Sequence, residues 1–491
     1  MSAKLTRRKF LAFAGGGAAA ATLAACGATP TPQVIREVVT SVVEKEVTKI
    51  VEGTPQVVKE TVVVEQTKVV EKEVTVEVAP GGKPLLRFAM YNFDPWLQAL
   101  PKIFGDFEQE VGTAQVKLEA APWDQFWPRF ESQASAGIAP DLQIGDPGFV
   151  ARYIDKGVYL NCDPYIERDK VNLADWLPAT IDAVTYDKET GLMGKKGNIW
   201  GMPATFVGTI LYYNKDLFDA AGVAYPKDEW TKEDLLDAAL KLTKDKSGKT
   251  AAESGFDSEN VSVYGCSIAG SGYNHAVLLW NEGVGLVSDD QKECLLSKPE
   301  AIAITQWDAD LIFKHHVNPS PAWFQGQPDV FLTQKIAFKY DGSWNLDYYV
   351  DKFTGNWDIA QIAKGSQSKK ITYAGTNTLH IYSGTKYKDQ SWDLLKFMAG
   401  EGGMKYFMKT GTPSLIKSAE SPDYLTGKPE HRKVAVDIGN YAHNYYPHRN
   451  NDKWKEVYNT EMDAVWLGKA SAEEVLKKIC EKITPILQGQ A

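Results

Sequence analysis

LLRFAMYNFDPWLQALPKIFGDFEQEVGTAQVKLEAAPWDQFWPRFESQASAGIAPDLQI, residues 85–144, sets the architecture. The apolar run at 85–90 is strand-length, and 96–111 then carries apolar side chains at helical spacing. A second strand at 115–120 leads to a helical stretch at 124–136. A third strand at 142–144 precedes a helix from Phe149. Alternating strand and helix predicts βαβ units, a mostly parallel sheet and the α/β class. Further on, Thr231 with Asp234 and Ser471 with Glu474 each place an N-cap hydroxyl three residues before an acid, predicting two helix starts.

The chain has 491 residues, too many for one ordinary core and enough for two domains. It is 44% hydrophobic and 24% charged, a globular balance. Its net charge is −9, and the first 25 residues hold Lys4, Arg7, Arg8 and Lys9 but no acid, so their removal leaves a still more acidic protein. That charge argues against nucleic acid and against polybasic adhesion to membranes.

The N-terminus reads TRRKFLAFAGGGAAAATLAAC, residues 6–26. Its basic region and short Gly/Ala-rich apolar stretch are too short to span a bilayer and predict a signal peptide over residues 1–25. TRRKFLA resembles a twin-arginine export signal, and Leu23 to Gly27 resembles a bacterial lipobox. The resemblance implies cleavage before Cys26, lipidation of its thiol, and anchoring to the outer face of the cytoplasmic membrane. No aromatic residue occurs between Phe13 and Phe88, and VVEKEVT appears at 42–48 and again at 69–75. Residues 26–82 therefore predict the lipidated Cys and an extended tether. Helical spacing of some valines leaves a short coiled coil open, although valine itself favours strands.

Besides Cys26 there are Cys162, Cys266, Cys294 and Cys480. Three disulfide pairings are open, and free buried thiols fit equally for a chain that folds in a reducing cytosol before export. None sits at metal-ligand spacing, and no HExxH, GxSxG or phosphate-cradling glycine loop occurs. Lys249 stands where a calcium loop at 245–249 would need an oxygen. Acid pairs such as Asp289-Asp290 read as solvated surface. No cofactor, metal or catalytic residue is expected.

PDLQIGDPGFVARYIDKGVYLNCDPYI (140–166), GNIWGMPATFVGTILYYNKDLFDAAGV (197–223), VFLTQKIAFKYDGSWNL (330–346) and SWDLLKFMAGEGGMKYF (391–407) resemble, in order, the extracellular solute-binding family 1 group in its carbohydrate-binding branch. The resemblance covers about residues 84–487. It implies a two-domain, type II periplasmic-binding-protein-like clamp with three interdomain crossings, near 206–211, 375 and 411–413. One lobe would be 84–206 plus 378–412, the other 212–373 plus 416–491. It implies a monomer that delivers a carbohydrate to the permease subunits of an ABC importer.

A sugar offers C–H faces to aromatic rings and hydroxyls to short polar side chains. Ligands of open α/β sheets lie beyond the carboxyl ends of strands. Asn92, Asp94 and Trp96 follow the first strand, Trp123 and Asp124 the second, and Asp146 the third. A helix cap is the competing reading for Asp94 and Asp146. The resemblance adds Thr205, Ser271, Tyr273, Thr376 and Asn377, and puts Trp344 of DGSW in the place of a sugar-stacking ring. Trp323 and Trp454 complete the set. Trp200, Trp307 and Trp392 read as core. A phosphate ester would call for several cations. Only Arg129, Arg152 and Arg449 lie near the proposed site, so neutral carbohydrate leads.

Overall fold

The structure, a computed structural model, describes residues 33–51, 54–72 and 82–490, apart from 195, 271, 367–369 and 445–447. The export signal, Cys26 and Ser271 lie outside the described residues. The chain divides into two compact units, Met1–Val78 and Ala79–Ala491. In the first, Gln33–Val51 and Thr54–Lys72 pair antiparallel, with Val42 opposite Val63 and Val47 opposite Val58. The open coiled-coil reading is corrected here: β-branched valine is stiff at χ1 and sits better on a pleated ribbon than on a helix.

In the second unit the opening pattern is realised. Strand Leu85–Tyr91 pairs parallel with Gln115–Ala121 on one side and Leu142–Gly145 on the other. Helices Asp94–Glu110, Trp123–Ser135 and Pro147–Asp155 follow those strands in turn. Thr231 and Asp234 form a reciprocal capping box, and Ser471 accepts from the Glu474 amide at 3.2 Å.

The expectation of a mostly parallel sheet fails beyond this point. Two long strands, Met202–Asn214 and Thr372–Ile381, pair antiparallel with each other, Ala374 opposite Gly208 and Thr378 opposite Pro203. Thr378–Ile381 also runs antiparallel to Leu142–Gly145, and Thr209–Tyr213 antiparallel to Ile336–Gly342. All thirteen residues of Met202–Asn214 are buried, so the strand shows no polar alternation.

Two large cores flank this pair of strands. One draws on residues between 86 and 204 and again between 379 and 415. The other draws on residues between 211 and 363, on Tyr373, and on residues between 454 and 487. A smaller core around Phe206, Tyr212, Tyr349 and Trp357 lies under the strands' middle. Trp392 is fully buried, as the sequence suggests; Trp200 is buried and Trp307 packs partly buried on the second core. The open cysteine question has one answer: Cys294 and Cys480 form a disulfide, while Cys162 and Cys266 are free and buried.

Candidate ligand-binding cleft

The carboxyl ends of the first three parallel strands carry an aromatic and polar cluster. Tyr91, at the end of its strand, packs edge-on against Trp123 with centroids 4.7 Å apart. Trp127 stacks on Phe149 at 4.2 Å beneath them. Trp123 is 47% exposed. The Tyr91 hydroxyl donates to Asn377 Oδ1 at 3.3 Å, and Asn377 Nδ2 donates to Thr205 Oγ1 at 2.9 Å. This chain of bonds joins the end of the first strand to both long strands. The Thr376 hydroxyl is buried without a hydrogen-bond partner among the described residues. Asp146 caps helix Pro147–Asp155 by accepting from the Gly148 amide at 2.9 Å. Burial raises its pKa, opposed by that bond and by the field of Lys455. Burial likewise pushes the Lys455 ammonium well below the lysine range, with Asp146 opposing. Burial, then Asp146, raises the Tyr91 phenol.

A second aromatic group lies on the other core. Tyr273 opens helix Gly272–Asn281, meets Trp344 edge-on at 5.6 Å and stacks on Tyr373 at 5.6 Å. Trp344 is half-buried and follows strand Ile336–Gly342. Its ring folds back over Gly342 so closely that a methyl group there would collide with it. The glycine of the DGSW string is therefore required by the tryptophan two residues on. Ser343 Oγ accepts from the Gly208 amide at 3.1 Å, pinning this turn to the long strand.

The other expected residues differ in their settings. Trp96 is 1% exposed and packs on Phe407 at 4.5 Å, so it is core: its helix turns that face inward. Trp323 meets Tyr264 at 5.2 Å with Lys335 over its ring, and touches neither aromatic cluster. Asn92, Asp94 and Asp124 are exposed. Asp94 does not cap its helix, whose N-cap is Phe93. Trp454 is 1% exposed, yet it lines a cavity, and its indole N–H has no partner among the described residues.

That cavity, of about 700 Å³, is walled by Asp182, Met193 and Gly194 on one side and by Trp280, residues 283–287, Gln291, His443 and Asn444 on the other. Apart from Trp454 it shares no residue with the expected set. The sequence held one signal for it: Trp280 stands seven residues after Tyr273 on the same helix, hence on nearly the same face. Trp280 packs against His443 at 4.8 Å. The Cys294–Cys480 bond fastens the adjoining wall to helix Ala472–Leu487.

Asp358, Glu430 and His431 bring metal-capable donors together at a separate place. His431 Nδ1 lies 2.7 Å from Asp358, and Lys215 3.7 Å from Glu430. These contacts account for the cluster, and it lies apart from both aromatic groups.

The family model for bacterial extracellular solute-binding proteins matches residues 93–405. A binding protein of Brucella abortus (strain 2308) is 21% identical over 433 residues, covering 84% of this chain and 94% of that protein. Among solved structures, the ABC substrate-binding protein of Listeria monocytogenes in complex with cycloalternan has a TM-score of 0.72 at 23% identity, covering 83% of this chain and 100% of that one. The GacH receptor of Streptomyces glaucescens, solved unliganded and with acarbose, has a TM-score of 0.68 at 19% identity, covering 83% and 100%. Maltose-bound MalE3 of T. maritima has a TM-score of 0.68 at 18% identity, covering 82% and 99%. With a family model spanning more than half its length and this fold around the cleft, the chain belongs to the bacterial extracellular solute-binding proteins.

Proposed function

We propose that this protein captures a carbohydrate outside the cell and hands it to an ABC importer, acting as a receptor and not as an enzyme. The observation that carries the reading is that each core bears an aromatic pair, Trp123 with Tyr91 on the first and Trp344 with Tyr273 on the second, and that the Tyr91–Asn377–Thr205 hydrogen-bond chain ties the first pair to the two long strands. Rings supply stacking faces, and short amides and hydroxyls match sugar hydroxyls. That similar folds were solved with cycloalternan, acarbose and maltose supports the same class of ligand. The cavity lined by Trp280 and Trp454 lies in the size range of ligand sites and suits an oligosaccharide.

In this reading residues 84–206 with 378–412 form one lobe, and 212–373 with 416–491 the other. Ligand bridging the two favours the closed clamp, because only that state makes both sets of contacts. A thermal-shift screen tests it. A cognate oligosaccharide at a hundred times its Kd should stabilise the protein by about 2.7 kcal/mol. A glycerol-phosphate ester or a peptide that shifts the melting point when no sugar does would overturn the carbohydrate assignment.

Residues 26–82 would serve as the tether of a lipoprotein anchored by Cys26. Mass spectrometry of the membrane-extracted protein should find a diacylated Cys26 as the first residue. Exported protein that still begins at Met1 would rule out the anchor.

A further inference from the structure

We propose that Arg152, Asp155, Arg449 and Asp452 are positioning residues that draw the two lobes together before any ligand arrives. The proposal rests on the clamp reading above. Helix Pro147–Asp155 belongs to the first lobe, with Val150, Tyr153 and Ile154 buried in its core. Helix Asn451–Trp466 belongs to the second, with Trp454 and Tyr458 buried there. Along 146–155 and along 449–455, the segments that lead into and begin these helices, charges alternate. Asp146, Arg152 and Asp155 read negative, positive, negative; Lys455, Asp452 and Arg449 read positive, negative, positive.

The pairs match in antiparallel order. Arg152 Nη1 lies 3.3 Å from Asp452 Oδ2, and Arg449 Nε lies 3.3 Å from Asp155 Oδ2. Asp146 and Lys455 act on each other's charge at the third rung. Slipping one helix by a rung would set like charges opposite, so the ladder specifies one relative placement of the lobes.

Arg152 is held ready on its own lobe, and Arg449 adds contacts that cross to the first. Arg152 lies over the Phe149 and Tyr153 rings, at 5.2 and 5.1 Å, with Glu131 at 3.7 Å. Arg449 also reaches across to the turn at 187–191: its Nη2 donates to the Lys188 carbonyl at 2.5 Å and its amide to the Gly191 carbonyl at 3.1 Å. Gly191 has φ +76, and any side chain there would strike the Arg449 guanidinium.

These are not core contacts. Side-chain exposures of 28% for Arg152, 36% for Asp452, 35% for Arg449 and 27% for Asp155 leave these two rungs partly in solvent. Exposed pairs are weak singly and screened by salt, so they suit a bias that opening can undo. Apparent affinity scales with the fraction of binding-competent receptor, so a bias toward closure lowers what the ligand itself must supply.

The test needs no ligand. Spin labels at Lys102→Cys on one lobe and Glu233→Cys on the other report the interlobe distance distribution of the full chain. Asp452→Arg should lower the closed-to-open ratio by about three- to tenfold. Arg152→Asp combined with Asp452→Arg, in a Glu131→Gln background that removes the carboxylate beside position 152, should restore it. Raising sodium chloride from 0.05 to 1 M should open the unaltered ladder, as the screening length falls to about 3 Å. Distributions that ignore both Asp452→Arg and salt, or a well-folded charge swap that stays open, overturn the proposal. Failure of the sugar screen would leave this readout untouched, so the two readings fail separately.

Discussion

Replacing Trp344 with alanine should weaken carbohydrate binding by about tenfold to a hundredfold while leaving the fold nearly intact. A sugar face stacked on an indole contributes on the order of 1–3 kcal/mol, at about 1.4 kcal/mol per decade of affinity. Trp344 is half-buried and braced edge-on by Tyr273, so its loss removes a platform and not a core. Trp392, fully buried, is the control: its truncation should cost about 3–5 kcal/mol of stability. A second variant separates the ring's presence from its pose. Gly342→Ala keeps the indole but puts a methyl group where it lies, and should lower affinity without changing the aromatic inventory. Isothermal titration with the sugar found by the screen, beside chemical unfolding, measures both quantities. Equal losses of stability for Trp344→Ala and Trp392→Ala, with affinity unchanged, would make Trp344 another core residue.

Removing the disulfide, with Cys294→Ser and Cys480→Ser together, should destabilise the second unit by about 2–4 kcal/mol. The bond closes a loop spanning 186 residues, so it restricts the unfolded chain strongly. It also ties a segment bordering the cavity, Val287 and Gln291 among its lining residues, to the last helix, and losing it should loosen that wall. The melting temperature should fall by several degrees, and ligand affinity with it. Thiol labelling gives an independent reading: Cys294 and Cys480 should resist modification in the oxidised protein and react after reduction. An unchanged melting temperature with both cysteines freely labelled would show that the pair does not form.

The parts of the architecture written in local pattern were legible. Apolar runs at 85–90 and 115–120, separated by helical spacing, are read residue by residue, and the Thr231–Asp234 cap is complete within four positions. DGSW was legible as a family string, and the structure adds why its glycine is needed: the tryptophan two residues on lies against it. Asp146 was legible as a residue beyond a strand end, and its cap on Gly148 is equally local.

What local pattern does not carry is which distant segment arrives opposite. Trp96 and Trp123 both follow parallel strands, but one is 1% and the other 47% exposed, because helix Asp94–Glu110 turns its tryptophan against Phe407, more than 300 positions later. The cysteine pairing, the packing of Trp323 against Tyr264 and the meeting of Arg152 with Asp452 depend in the same way on long-range placement. Two strands, Met202–Asn214 and Thr372–Ile381, set much of that placement through their register. Both are buried on both faces and show no alternation to betray it. Sequence thus determined the elements, their caps and the family's signature strings, since those rest on interactions within a few residues. The tertiary structure alone decided which aromatic rings pack together and stay exposed and which charges meet across the chain, since those rest on contacts between segments far apart in sequence.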